Sequence, residues 1–151
     1  MISPLTPQQE ADLVAAIRQA ELATSGEIRV HLEEDCPTPE PMDRAAQVFS
    51  QLGMHKTAQR NGVLFYVAWH TRQFAVIGDA AINAAVPDDF WERTKELVLD
   101  AFRRQQYVTG LQQGIQLAGE QLRRYFPYNA DTDQNELDDS ISYGAPKPPR
   151  P

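Results

Sequence analysis

The sequence predicts a small α/β domain in which helices pack on a short mixed sheet. Three observations carry that prediction. Glu27–Glu33 alternates apolar and polar residues, Val63–Trp69 is continuously apolar, and four longer segments place apolar residues at helical spacing between recognisable caps. A chain of 151 residues suits one domain and is long enough to build a core without covalent staples. Cys36 is the only cysteine, so an intramolecular disulfide, a zinc knuckle and a CxxC redox pair are all excluded. It stands beside Pro37 in a loop and reads as an incidental thiol.

Thr6-Pro7-Gln8-Gln9-Glu10 supplies an N-cap, a proline at the first helical position and an acidic first turn. Leu13, Ile17 and Ala20 continue as the apolar stripe of a first helix, which is expected to end near Ser25-Gly26 with glycine in the left-handed conformation. The first strand follows, with Ile28, Val30 and Leu32 on one face and Glu27, Arg29, His31 and Glu33 on the other, a half-buried pattern. His31 is expected to be neutral and partly exposed. The three prolines between Asp35 and Pro41 mark a loop. Met42, Ala45, Ala46, Phe49 and Leu52 then form a second helix closed by Gly53. A connector over Met54–Arg60 holds His55, read as a loop residue, and Asn61-Gly62 precedes the second strand, whose unbroken apolar run indicates cover on both faces.

His70-Thr71-Arg72 is short enough for a hairpin, so the third strand, Gln73–Ile77, runs antiparallel to the second and ends at Gly78-Asp79. Pro87-Asp88-Asp89 opens a third helix with Phe90, Thr94, Leu97, Val98, Ala101 and Phe102 along it. A fourth runs from Tyr107 to Phe126, where Pro127 stops it. Gly110 and Gly114, one turn apart, indicate close packing of this helix on a neighbour. The domain is thus expected over residues 5–127, and residues 128–151 form an acidic, then proline-rich tail with little autonomous structure. The tail opens with Asp131-Thr132-Asp133-Gln134-Asn135, which resembles a calcium loop. Glu136 and Ser142 stand where that loop needs glycine and glutamate, however, and this argues for packing on the domain or solvation.

A formal charge of −7 and a pI near 4.9 weigh against nucleic acid as a partner, which requires a concentrated basic face. No basic-then-apolar leader and no apolar run long enough for a bilayer is present, so a soluble, cytoplasmic protein without membrane insertion is expected. The sequence holds no phosphate loop, HExxH motif, nucleophile elbow or thiol-phosphatase cradle.

Topology gives the acidity a place. The first two strands, joined by a helix, are expected to be parallel through a right-handed crossover. Glu27, Asn61 and Asp79 then share one end of the sheet, with Asn83 and the Asp88-Asp89 pair leaving from it. Oxygen ligands gathered there suit a hard cation such as Ca²⁺ or Mg²⁺. Each also has a plainer reading: Asp88 or Asp89 at a helix N-terminus, Asn61 in a turn, Glu27 at a solvated strand end. Arg60 is the basic residue placed near this rim, either on a phosphate or in solvent. His70 falls at the opposite end.

Thr24-Ser25-Gly26-Glu27-Ile28-Arg29-Val30, Arg60-Asn61-Gly62-Val63-Leu64, Ile77-Gly78-Asp79 and Tyr107–Gly114, in that order and spacing, resemble the TPM domain, also called the TPM phosphatase domain. The resemblance spans about residues 5–126. It implies a Rossmann-like, three-layer α/β/α sandwich with about four helices, divalent cation binding, and in some members a modest phosphatase activity on small phosphomonoesters. The acidic rim gathered above is kept, with Glu27, Asn61, Asp79, Asp88 and Asp89 as the candidate metal ligands; for catalysis, Asp79 would hold the cation and Arg60 could contact the phosphate. A small phosphorylated molecule is the implied partner. The alternative is a non-catalytic Ca²⁺- or Mg²⁺-binding interaction module. The chain is expected to be a short, stand-alone bacterial-type form without the membrane-anchoring tails of longer members, and it has Gly78-Asp79-Ala80-Ala81 where they commonly carry a Thr-Gly-Tyr-Gly-type turn.

Overall fold

A computed structural model describes residues 5–128 and 140–144. Thr6 caps the first helix reciprocally: its hydroxyl accepts from Gln9 N at 3.1 Å while Gln9 Oε1 accepts from Thr6 N at 2.9 Å. This helix, α1 (Pro7–Glu21), is followed by β1 (Glu27–Glu33), α2 (Pro41–Gln51), a 3₁₀ turn (Met54–Lys56), β2 (Gly62–Ala68) and β3 (Gln73–Gly78). The chain continues through α3 (Ala80–Ala85), α4 (Phe90–Arg103), α5 (Tyr107–Tyr125) and a two-residue strand, β4 (Ser142–Tyr143).

The sheet order is β3-β2-β1-β4. β1 and β2 are parallel, with Glu27 opposite Gly62 and Glu33 opposite Ala68. β2 and β3 are antiparallel, with Val63 opposite Gly78. Alternation along the strands divides the core into two. Ile28, Val30, Leu32, Val63, Phe65, Val67, Phe74 and Val76 face α1, α4 and α5, whereas Leu64, Tyr66, Ala68 and Ala75 face α2. Helices on both faces make the expected three-layer sandwich, in which β2 is buried along its whole length.

The close packing read from Gly110 and Gly114 is present. A Cβ on Gly110 would lie 2.8 Å from Ala101 Cβ, and one on Gly114 would lie 2.9 Å from both Phe65 and Val98.

Two expectations are corrected, and two elements join those read from the sequence. α1 ends at Glu21, not at Ser25-Gly26, and it is Ala23 that turns left-handed, at φ 65°. Ser25 N and the Thr24 hydroxyl instead bond to Phe126 O, tying this segment to the end of α5. Gly26 is needed for space, since a Cβ there would meet Leu122 at 2.5 Å. β1 is covered on its polar side too: Glu27, His31 and Glu33 are all buried, because α2 supplies a cation there and β4 covers the edge. A short helix, α3, follows Asp79, which caps it through Ala80 N at 2.7 Å. Residues 140–144 join the domain as β4, parallel to β1, with Ile141 buried in the core. The calcium-loop resemblance at 131–139 lies outside the described residues.

Candidate functional site

The rim forms where β1 and β2 begin and β3 ends. Asp79 N donates to Gly62 O at 2.9 Å, and Ala81 N donates to Arg60 O at 3.1 Å. These bonds lock the start of α3 to the loop before β2. Arg60 takes a left-handed conformation, φ 53°, and its guanidinium grips Asp79 with a two-pronged pair: Nε donates to Oδ2 and Nη2 to Oδ1, both at 2.8 Å. Burial alone would raise the Asp79 pKa. The Arg60 bonds and the Ala80 N–H outweigh it and hold the carboxyl below its ordinary range. The pair is lopsided in exposure, with the Asp79 side chain at 5% and that of Arg60 at 52%.

Asn61 is buried beside them, and its Nδ2 donates to Ser25 Oγ at 3.2 Å. Its Oδ1 is buried and has no hydrogen-bond partner among the described residues. Glu27, buried, stands opposite Gly62, one position along from Asn61. Backbone register therefore brings Glu27, Asn61 and Asp79 to one end of the sheet. Asp88 and Asp89 are exposed, and Asp89 pairs with Arg93 at 3.1 Å. They lie on the loop before Trp91, whose ring covers Gly78 and whose Nε1 donates to Asn83 Oδ1 at 3.0 Å.

Sequence reasoning missed two further constellations. Glu34, Asp35 and His70, all exposed, have ligand atoms within 4.8 Å of one another at the far end of the sheet. Asp35 accepts from His70 Nδ1 at 2.7 Å, which raises the imidazole pKa. The parallel register, which sets Glu33 opposite Ala68, was the signal that could have joined them.

The second constellation is inside. Arg44 on α2 donates to Glu33 through Nε at 2.9 Å and Nη2 at 3.0 Å. The Tyr66 hydroxyl also donates to Glu33, and His31 stacks on the Tyr66 ring at 5.9 Å. Burial favours the neutral form of both neighbours: it lowers the pKa of His31 against the opposing pull of Glu33, and with Glu33 it lifts that of Tyr66 far above its ordinary value. An ionised Glu33 can only accept, so His31 carries its proton on Nε2, 3.3 Å from Glu33 Oε1, and Nδ1 accepts from the Ser142 hydroxyl at 2.8 Å. With a buried, fully paired carboxylate and no open face, this network holds β1, α2 and β4 together rather than offering a reacting group.

No helix among the described residues is long and apolar enough to cross a membrane. Comparison with known proteins gives a consistent picture. The family model described as the TPM domain matches residues 3–121. The solution structure of the BA42 protein from the psychrophilic bacterium Bizionia argentinensis is 44% identical, covers 95% of this chain and 98% of its own, and superposes with a TM-score of 0.86. Two N-terminal domains share the fold at lower identity. That of the cg2496 protein of Corynebacterium glutamicum is 13% identical, with a TM-score of 0.63 over 79% of this chain and 74% of its own. That of a P. gingivalis protein is 20% identical, with a TM-score of 0.66 over 83% and 82%. A search of curated proteins found no match.

Proposed function

The chain belongs to the TPM domain family, and from that premise we propose that its Asp79 rim binds Ca²⁺ or Mg²⁺ and supports modest hydrolysis of small phosphomonoesters. The observation that carries this reading is the Asn61 carbonyl oxygen, buried and without a partner. Such an oxygen costs about 1–3 kcal/mol when left unmet, and a hard cation is the partner that an amide oxygen between two carboxylate positions suits. Glu27, Asn61 and Asp79 are the proposed ligands. Asp88 and Asp89, exposed on the neighbouring loop, add negative potential that draws the ion in.

Arg60 now holds both oxygens of Asp79. Its side chain is half exposed, so it can swing out as the ion takes its place and offer the guanidinium to phosphate oxygens in a two-pronged contact. When bound, the cation would supply charge neutralisation and a more acidic water. The same Arg60–Asp79 grip favours a second reading, a cation-binding interaction module without turnover, in which Arg60 yields one carboxylate oxygen to the ion, keeps the other, and so is never free to take a phosphate.

One experiment addresses both: residue-by-residue NMR titration with Ca²⁺ and Mg²⁺, alongside hydrolysis of a generic phosphomonoester with and without chelator, in wild type and Asp79→Asn. Amide shifts around Asn61 and Asp79, with turnover lost on chelation and in the variant, are expected. Shifts without turnover select the module, and no shift at the rim removes both readings.

A further inference from the structure

At the opposite end of the sheet from the rim, where Trp69 follows β2, lies a cavity of about 340 Å³. This is the carboxyl end of the parallel pair, at which α/β sheets place their ligands. The volume falls within the roughly 300–1,000 Å³ that small-molecule sites occupy. Trp69, Phe102 and Tyr107 give the cavity aromatic walls, and Arg72 and Arg103 line it too. No carboxylate does. On a chain of formal charge −7, two guanidiniums beside aromatic faces, with no acid among them, favour an anion that carries a flat ring.

Neither arginine is taken up elsewhere. Both are exposed, and among the described residues neither guanidinium forms an ion pair. Asp100, three positions before Arg103, pairs with Arg104 at 3.1 Å, and Asp35, beside the hairpin, accepts from His70 at 2.7 Å. Arg103 also suits the carbonyl end of α4, but Arg72 serves no helix. Arg72 and Gln105 moreover stand where glycine would spare strain, Arg72 in the hairpin before β3 at φ 57° and Gln105 just past α4 at φ 61°. Each instead brings a long polar side chain to the cavity wall.

We propose that this cavity binds a nucleoside monophosphate, its base against Trp69 and Tyr107 and its phosphate on Arg72 and Arg103. Guanidiniums meet phosphate oxygens in two-pronged, charge-assisted bonds. Stacking on aromatic side chains accepts any base, because every base has a π-face. Gln105 adds an amide donor and acceptor for the polar edge of the ligand. A seven-residue strand separates this cavity from the Asp79 rim by about 20 Å. A phosphate held here lies out of reach of Asp79, and the inference is independent of the proposed cation site.

The test is an NMR titration of the full chain with adenosine 5′-monophosphate, read at the Trp69 indole N–H, with chelator present so that the rim takes no part. A saturable shift is expected there, with adenosine and inorganic phosphate each binding at least about tenfold more weakly. The double variant Arg72→Gln, Arg103→Gln changes two exposed side chains and should keep its fold. It should bind the monophosphate no better than adenosine, while its affinity for adenosine stays as in wild type. The inference is overturned by any of three results: no saturable shift at Trp69, adenosine or phosphate binding as tightly as the monophosphate, or an unchanged monophosphate affinity in the double variant.

Discussion

Replacing Arg44 with Met removes the cation from a buried pair while keeping most of the apolar stem that packs beneath α2. Arg44 and Glu33 are only 4% and 2% exposed, and Arg44 makes two of the bonds that satisfy the carboxylate. Stranding one member of such a pair costs about 3–5 kcal/mol, a large share of the roughly 5–15 kcal/mol that holds a domain together. With a urea slope of about 1–3 kcal/mol per M, the midpoint should fall by roughly 2 M. The pH dependence identifies the cause. In the wild type, burial alone would raise the Glu33 pKa, but the Arg44 and Tyr66 hydrogen bonds prevail and lower it. Its stabilisation is therefore full above the unfolded carboxyl value, about 4.3, and is lost as pH falls through the lower folded value. Without Arg44, burial raises the folded value above the unfolded one, so the variant loses stability as pH rises through it. The gap between the two proteins should therefore be widest at neutral pH and narrow toward pH 4. Adding Glu33→Gln to the variant, which removes the stranded charge, should recover part of the loss. A gap under about 1 kcal/mol at pH 7, or one that stays constant with pH, would refute the reasoning.

Three further outcomes are expected. Gly110→Ala gains about 1 kcal/mol of helix propensity but sets a methyl 2.8 Å from Ala101 Cβ and 3.2 Å from the Val98 carbonyl oxygen. A net loss of about 1–2 kcal/mol should lower Tm by roughly 2–8 °C in calorimetry. Arg60→Ala should move the Asp79 carboxyl titration upward in carbon-detected NMR, and the stability lost on acidification through that carboxyl should shrink, because less of it was present at neutral pH. In a histidine titration His31 should titrate below its ordinary value, held neutral by burial, and His70 above it through Asp35. Asp35→Asn should bring His70 back down without moving His31.

Strand directions were legible because a helix between two apolar runs and a three-residue hairpin leave few topologies. That is why Glu27, Asn61 and Asp79 could be gathered at one rim from the sequence alone. The polar side of β1 was not legible. Glu27, Arg29, His31 and Glu33 alternate identically whether they face water or a buried cation, and the cation, Arg44, lies in a helix whose reading rests on its apolar positions. The six residues of α3 are too few to show a period, and β4, with two, has none at all. What fixes β4 is contact with residues over a hundred positions earlier, His31 and Leu32. The Arg60–Asp79 grip depends on a left-handed backbone at Arg60 that no side-chain pattern announces.

The two ends of the sheet also divide the chemistry. In open parallel sheets, ligands sit beyond the carboxyl ends of the strands, and for β1 and β2 that is the end with Trp69 and a cavity lined in part by Leu32, Val67, Trp69 and Phe102. The Asp79 rim lies at their amino ends. It is a carboxyl end only for β3, which runs the other way and delivers Asp79 directly into the cap of α3. A seven-residue strand separates the two by about 20 Å, more than twice the screening length of about 8 Å at physiological salt. Charge changes at the rim should therefore be nearly silent at Trp69. Chelation or Asp79→Asn should leave the Trp69 indole resonance in place, and Trp69→Ala should leave the cation titration unchanged. Coupling between them would require a packing change carried through β2, the strand whose core side chains touch both faces, and it would show as shifts at Phe65 and Tyr66 first.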